Sequence, residues 1–550
     1  MDPAADIPGD LAIAGYRIHD QIGSGGMSAV YRGTQTSLDR TVAIKFLSHE
    51  FLGDSGIRER FERESVIIAR LNHPGIVRVI DRGVTRDGRP YFVMEHVEGA
   101  DLASLIDRGT LETSQKLDIV VQVCKALAYA HHNGVIHGDI KPANVILDRD
   151  GHARILDFGI ARVARGDHPG APASELVVGT PSYMSPEQVS GTRPMTARSD
   201  LYSLGVLIYE LFTGRKPPTG RFTPPSQIDR RIPAALDRIV ERCLQVEPAH
   251  RFSSADEVKD RILSVMPGAH LETVQRERTR QDLGAVDGKF TLLDVIKRAR
   301  HSSAYLYMDN RDQRLLVIKQ VSSTRDGLAE ARSMIRVEHP NLVRVFGVSG
   351  SPRRYIVVME YLSGGSLQDR LVRRFRPSEA LRITRDVLAG LAHAHGRKIV
   401  HGNLRPSNVL FSAAGHVRVS DFGSSEQLDP EANANLYNPW KLPSTVAADL
   451  VAAGCVLHEM VTGVPPAVQG TEIVPFAGYE AVPEPVRALI RRMIGNARGG
   501  RSQLCGGDRG DRRNRGRWVE RSRRKRRRGA STRSLRACSE TRPWRGRAGG

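Results

Sequence analysis

Carboxylates and amides set in apolar text are the residues of this chain best suited to phosphate and metal chemistry. In "IHGDIKPANVIL", Asp139, Lys141 and Asn144 stand between apolar flanks, and 18 residues after Asp139 comes Asp157, between Leu156 and Phe158 in "ILDFGIA". Carboxylate, amide and carboxylate are the hard-oxygen set that magnesium takes when it is bound to phosphates. Upstream, "IGSGGMSAVY" places glycines at 23, 25 and 26 between two β-like runs, where missing side chains let backbone amides approach a phosphate. Lys45 ends the apolar run "VAIK". Glu64 shares the inward stripe of a helix with Ile68 and Leu71, whereas Glu59, Glu62 and Arg63 face elsewhere. An inward acid wants a partner, and Lys45 is the candidate. Each stretch alone has a plainer reading, as a turn, a snorkelling lysine or helix-capping Asp and Asn. It is all of them, in this order, that points to phosphate chemistry.

These groups need a frame. The region around them begins with short β-rich runs that alternate apolar and polar residues. It then turns helical in "LDIVVQVCKALAYAHH" and "LYSLGVLIYELFTG", where apolar residues recur every three or four positions. A sheet-rich piece followed by a helix-rich piece predicts an α+β fold with a cleft between the two. The chain then writes the same plan a second time. Tyr16 to Lys45 and Phe290 to Lys319 are each 29 positions, Glu64 to His73 and Glu330 to His339 are each nine, and "DFG" follows Asp139 and Asn403 by 18 in both copies. Equal spacing of similar words marks an internal repeat. The predicted organisation is an N-terminal extension over 1–15, a first domain over 16–265, a polar linker over 266–288, a second domain over 289–503 and an Arg/Gly-rich tail over 504–550.

Length and charge agree with this division. At 550 residues, one hydrophobic core is not expected, because cores stop growing at roughly 250 to 300 residues. The net charge of +20 is concentrated at the end: residues 498–550 carry 19 Lys and Arg against 4 Asp and Glu, leaving 62 against 57 elsewhere. The tail has no apolar periodicity and reads as disordered. Two explanations of it stand, a reading-frame change in the gene or a genuine polyanion-binding tail. Only Trp518 and Trp544 interrupt its basic run, so stacking platforms for bases are thin and nucleic acid is not the expected partner. Five scattered cysteines without CxxC spacing, an acidic start and no apolar run of about 18 residues make a cytoplasmic protein without a membrane span the expectation.

Taken together, "GSGGMSAV", "VAIK", "HGDIKPAN", "DFG", "GTPSYMSPE", "SDLYSLG" and "HRFSS" resemble the eukaryotic-type (Hanks-type) Ser/Thr protein kinase family, most closely its bacterial branch, over residues 16–265. The resemblance implies a bilobal fold with a β-rich N-lobe and a helical C-lobe, and transfer of the γ-phosphoryl of ATP to Ser or Thr of protein substrates, autophosphorylation included. It implies Mg2+ as the metal, with Mn2+ as an alternative. It gives Asp139 the substrate hydroxyl proton, Lys141 the transferring phosphoryl, and Asn144 and Asp157 the metal. Nucleotide would be lined by Ile22, Gly23, Ser24, Gly25, Gly26, Met27, Ser28, Val30, Ala43 and Ile146. Lys45 would contact phosphate and pair with Glu64, and Met94, Glu95 and Val97 would form the hinge at adenine, Met94 as gatekeeper. Thr180 and Glu187 would serve substrate docking and the activation-segment anchor, with Asp200 and Arg251 structural. Ser28 stands at the usual third glycine. Gly138 replaces the arginine that an activation-loop phosphate usually neutralises. Activity is therefore expected not to depend on that phosphate, although Ser174, Thr180, Ser182 and Ser185 are acceptor candidates.

Substitutions in the second copy bear on the chemistry. Gly23, Gly25 and Gly26 become Lys297, Ala299 and Arg300, and Asp139 and Lys141 become Asn403 and Arg405. Lys319, Glu330, Asn408 and Asp421 remain, but Asn403 is no proton acceptor, and a lost base costs on the order of a hundredfold to ten-thousandfold. The "GTPSYMSPE" segment is missing. The second domain thus resembles a pseudokinase, a regulator or scaffold acting through an intramolecular or dimeric contact. The rival reading of the whole chain is a non-catalytic kinase-fold scaffold with a polyanion-binding tail.

Overall fold

Alternating apolar runs joined by tight turns build a five-stranded antiparallel sheet in the first half. Its strands β1 (Tyr16–Gly25), β2 (Ser28–Gln35), β3 (Arg40–Leu47), β4 (Val79–Val84) and β5 (Pro90–Glu95) lie in the order β1-β2-β3-β5-β4. The helix α1 (Ser55–Ile68) starts where the Asp54 side chain accepts from the amides of Gly56 and Ile57, a cap that satisfies donors left open at a helix start. It packs on the sheet through Phe61 and Phe92, whose ring centres are 5.2 Å apart. This computed structural model describes residues 12–25, 27–157, 181–191, 193–218, 220–271, 275–277, 279, 288–298, 302–322, 328–351, 354–422, 434–439, 442–469, 472–474 and 479–495. The expectations for the N-terminal extension's first 11 residues and for the tail lie outside these.

Below the sheet come β6 (Gly99–Asp101), α2 (Leu102–Arg108) and α3 (Thr113–His132), then the hairpin β7 (Val145–Asp148) and β8 (Ala153–Ile155). The helices α4 (Pro186–Ser190), α5 (Ala197–Thr213), α6 (Pro225–Ile228), α7 (Ala234–Cys243) and α8 (Ala255–Val265) complete the lobe. Most of α3 and α5 is buried, which is why their sequences are apolar almost all round. Thr196 caps α5 and Gly214 ends it in the left-handed conformation at φ 72°. The result is a protein-kinase-like α+β fold with a β-rich lobe and a helical lobe.

The second half repeats the order of elements. The strands β9 (Phe290–Arg298), β10 (Ser302–Asp309), β11 (Leu315–Ser322), β12 (Val345–Ser351) and β13 (Arg354–Glu360) pair as β12-β13-β11-β10-β9, with α9 (Leu328–Ser333) beside them. Then follow α10 (Leu367–Arg370), α11 (Pro377–His395), the hairpin β14 (Val409–Phe411) and β15 (Val417–Val419), α12 (Ala434–Tyr437), α13 (Val446–Thr462) and α14 (Glu484–Gly495). The halves share apolar packing. Leu293, Leu306 and Met308 of the second sheet belong to the same buried cluster as residues of α3 and α8. Among the described residues, no helix is long and apolar enough to cross a membrane.

Candidate active site

Asp200, on the first turn of α5, organises the loop that carries Asp139. Its carboxylate accepts from the backbone amides of His137 and Gly138 at 2.8 and 2.7 Å and from Nε2 of His131, on α3, at 2.7 Å. Burial pushes this carboxyl up, but the His131 contact and the other donors outweigh it and hold it below the usual carboxylate range. His137 then reaches across. Its Nε2 donates to the carbonyl of Leu156 at 2.9 Å while Nδ1 accepts from the amide of Asp139 at 3.2 Å. The ring must therefore be neutral with its proton on Nε2, in keeping with burial, which lowers its pKa. Gly138 lies between them at φ 78°, where a side chain would be strained.

Asp139, Lys141 and Asn144 converge. Lys141 Nζ is 2.7 Å from Asp139 Oδ2, and the Asn144 amide donates to the Asp139 carbonyl at 2.8 Å and to Oδ2 at 3.1 Å. The amide of Leu156 donates to the Asn144 carbonyl at 2.8 Å, which brings Asp157 alongside. Asp157 takes a left-handed φ of 42°, and its Oδ1 meets Lys45 Nζ at 2.7 Å. Burial raises the Asp157 carboxyl, but Lys45, followed by Lys141, outweighs it and lowers its pKa, which favours the charged form. Lys45 itself is 6% exposed and lies 5.7 Å from the centre of the Phe92 ring. The Glu64 side chain expected to pair with Lys45 lies outside the described residues.

The strands set the rest of the cleft. Val30 pairs with Lys45, Ala43 with Met94 and Lys45 with Phe92 across the sheet, so Val30, Ala43 and Met94 lie around the lysine. Glu95, at the end of β5, accepts from the amide of Arg78 at 3.0 Å, and Val97 and Met27 pack on the core. Ile146 sits on β7 opposite Asp101 and Arg154, and Ile22 is 45% exposed at the rim. Gly23, Ser24 and Gly25 pair with Val30, Ala29 and Ser28 in the β1–β2 hairpin, Met27 precedes β2, and Gly26 lies outside the described residues.

A Cβ built at Gly23 or Gly25 would come no nearer than 3.8 Å to any other group, whereas one at Gly33 would lie 2.9 Å from the carbonyl of Arg17. The chain's own packing therefore does not require glycine at 23 or 25, and the bare hairpin leaves a cradle that side chains would fill. Asn144 and Asp157 offer oxygen donors of the kind a divalent cation takes, with the Asn144 amide nitrogen committed to Asp139.

Around the substrate side, Glu187 and Arg251 form a buried two-point ion pair at 2.7 and 2.8 Å, with Ser199 donating to Glu187 at 2.8 Å. The remaining Arg251 donors go to the carbonyls of Gln245, Arg198 and Val246. Ser182 is exposed, but Ser185 is fully buried and its hydroxyl donates to Gln188 at 2.8 Å. The expectation that Ser185 is an accessible phosphate acceptor is corrected, because that hydroxyl caps α4. Ser174 and Thr180 lie outside the described residues, as does Phe158. Sequence reading missed His131 and Gln188, whose amide donates to the Gly138 carbonyl at 2.9 Å. No local signal marks either, since the partners are 69 and 50 residues away.

The second half keeps the frame. Asp449 accepts from the amides of His401 and Gly402, each at 2.8 Å, and from His395 at 2.7 Å. Lys319 Nζ meets Asp421 Oδ1 at 2.7 Å, and the Asn408 amide donates to the Asn403 carbonyl at 2.9 Å.

The family model described as the protein kinase domain matches residues 16–263 and 298–477. The chain is 37% identical over 322 residues to serine/threonine-protein kinase pkn3 of Myxococcus xanthus, covering 54% of this chain and 57% of that one. It is 40% identical to serine/threonine-protein kinase PksC of Streptomyces coelicolor, covering 46% and 50%, and 37% identical to PknB of Mycobacterium leprae, covering 46% and 43%. The chain thus spans about half the length of these curated relatives. Among solved structures, the kinase domain of Mycobacterium tuberculosis PknI is similar over 47% of this chain and 98% of its own, at 31% identity and a TM-score of 0.40. With the matched segments covering most of its length, this chain belongs to the protein kinase family.

Proposed function

We propose that the first module, residues 16–263, is a Ser/Thr protein kinase that transfers the γ-phosphoryl of ATP to protein hydroxyls, autophosphorylation included, and that the second module is non-catalytic. One observation carries this reading: the Asp139 carboxylate, on a loop fixed by Asp200, lies beside both the Lys141 ammonium and the Asn144 amide. Asp139 orients the incoming hydroxyl and accepts its proton as the oxygen attacks phosphorus. Lys141, 2.7 Å away, is placed to neutralise charge on the transferring group. Asn144 and Asp157 would hold Mg2+, with Mn2+ as a substitute, and the metal would offset phosphate charge. Lys45, paired with Asp157, steadies the phosphates under the glycine hairpin. The relatives' names, serine/threonine-protein kinase, support Ser and Thr as acceptors, as does Lys141 two residues after the base.

The second module is read as a pseudokinase regulator because Asn403 stands at the base position and Arg405 at that of Lys141. The test is one variant of the full chain. Asp139→Asn should cut phosphate transfer from ATP by about a hundredfold or more, leaving no transfer attributable to the second module. A variant that phosphorylates protein at the wild-type rate would refute both assignments.

A further inference from the structure

The helix that leads into the catalytic loop ends against the second module. α3 finishes at His132 and is capped by Asn133, only four residues before His137. Asn133 is 7% exposed, and its amide donates to the Tyr129 carbonyl of its own helix and to the Asp369 carbonyl of α10, each at 2.8 Å. Beside it, His132 Nε2 lies 3.1 Å from Asp256 on α8. Asp256 belongs to a charged group with Lys259, whose Nζ is 3.5 Å from Asp256 and 3.6 Å from Asp260. Tyr361 of the second module closes this group, its hydroxyl accepting from Lys259 at 3.1 Å and donating to Asp260 at 3.0 Å. Burial works against the Lys259 charge, but Tyr361, Asp260 and Asp256 outweigh it, so the lysine stays charged within this group.

Two neighbouring histidines connect this cluster to the site. Successive helical residues point about 100° apart, so His131 turns to Asp200 while His132 turns to Asp256. Asp200 in turn holds the amides of His137 and Gly138. The last turn of α3 is therefore clamped on one side by the catalytic frame and on the other by contacts that the second module completes.

We propose that Tyr361, in the second module, is a positioning residue for phosphate transfer in the first: together with Asn133 and His132 it fixes the end of α3, and through it the loop from His137 to Asp139. The inference rests on the phosphotransfer reading above. It makes the second module's influence a matter of one hydroxyl and one helix cap rather than of its own degenerate cleft.

The experiment uses the purified full chain with ATP and casein. Wild type, Asp139→Asn, Tyr361→Phe and Asn133→Ala are compared at a temperature where circular dichroism shows all of them folded. Tyr361→Phe keeps the ring and removes only the hydroxyl. Both contact variants should lower kcat by about two- to thirtyfold with KM for ATP unchanged, and should speed amide hydrogen exchange over residues 131–139. If Tyr361→Phe does not fold, Lys259→Gln reads the same contact. Contact variants with wild-type kcat and wild-type exchange, even if they melt at lower temperature, would overturn the proposal. An active wild type with an inactive Asp139→Asn would then show that only this inference had failed; equal rates for those two would mean that the phosphotransfer reading itself is wrong.

Discussion

Asp200 gathers its donors at the centre of the first helical lobe. It is fully buried and receives one imidazole and two backbone amides, so it is tolerable there only as a fully satisfied anion. Because its folded pKa is depressed, it contributes stability at pH values above the unfolded value of about 3.9, and that contribution is lost as pH falls through the lower folded value. Asp200→Asn should therefore cost about 2–3 kcal/mol near neutral pH. The gap from wild type should narrow below pH ~4. Urea midpoints of the two proteins across pH 3 to 7 check this, and a gap independent of pH would show that the carboxylate's charge plays no part. Glu187 and Arg251 follow the same rule: all the hydrogen-bonding capacity of a guanidinium that is 1% exposed is used, by one carboxylate and three carbonyls.

The loop between α3 and β7 is where backbone conformation decides chemistry. Gly138 at φ 78° and Gly402 at φ 74° occupy the same place in the two modules, a conformation that costs an L-residue roughly 1–2 kcal/mol. Glycine removes that strain and places no cation at this position. Phosphatase-treated protein, freed of phosphate by intact mass, should accordingly keep its phosphorylation rate within about twofold, since no charged partner is left uncompensated. A treated protein without activity would sink this expectation. The β1–β2 hairpin and its counterpart diverge for the opposite reason. Where the first has bare backbone over the cleft, Arg298 of β9 turns back to donate to the Gln275 carbonyl and the Thr279 hydroxyl at 3.1 and 3.0 Å. Strand β9 is thereby anchored to the segment between the modules.

At the scale of the molecule, each module keeps a buried core of its own helical lobe, and the second sheet also packs into the core of the first. Leu306 is 1% exposed and packs in the cluster that contains α3 and α8, and Asp294 of β9 bridges Lys125 of α3 and His270 at 2.8 and 3.2 Å. Leu306→Ala should cost about 2–5 kcal/mol and lower the melting of both modules together, observed by calorimetry of the full chain. Loss confined to one of two separate transitions would contradict coupling of the modules through this packing.

Much of the candidate site was legible in the order and spacing of the motifs, through the resemblance they carry. Asp139, Lys141, Asn144, Asp157 and Lys45 could be named as candidates from the sequence, because their order and spacing resemble those of the protein kinase family and their types suit phosphate and metal chemistry. Carboxylates and amides are common oxygen ligands, glycine lets a turn approach phosphate, and strand and helix periods set which face each residue takes. Asn403 and Arg405, which carry the reading of the second copy as non-catalytic, were equally open to a reader of the sequence, since an amide does not take up a proton as a carboxylate does. What the sequence could not reveal is who meets whom at long range. His131 with Asp200, Asn133 with the Asp369 carbonyl and Lys259 with Tyr361 are separated by 69, 236 and 102 residues, and two of these contacts join different modules. Such pairings have no period or motif; they arise only when apolar faces bury against one another and leave each polar group the few partners that packing brings within reach.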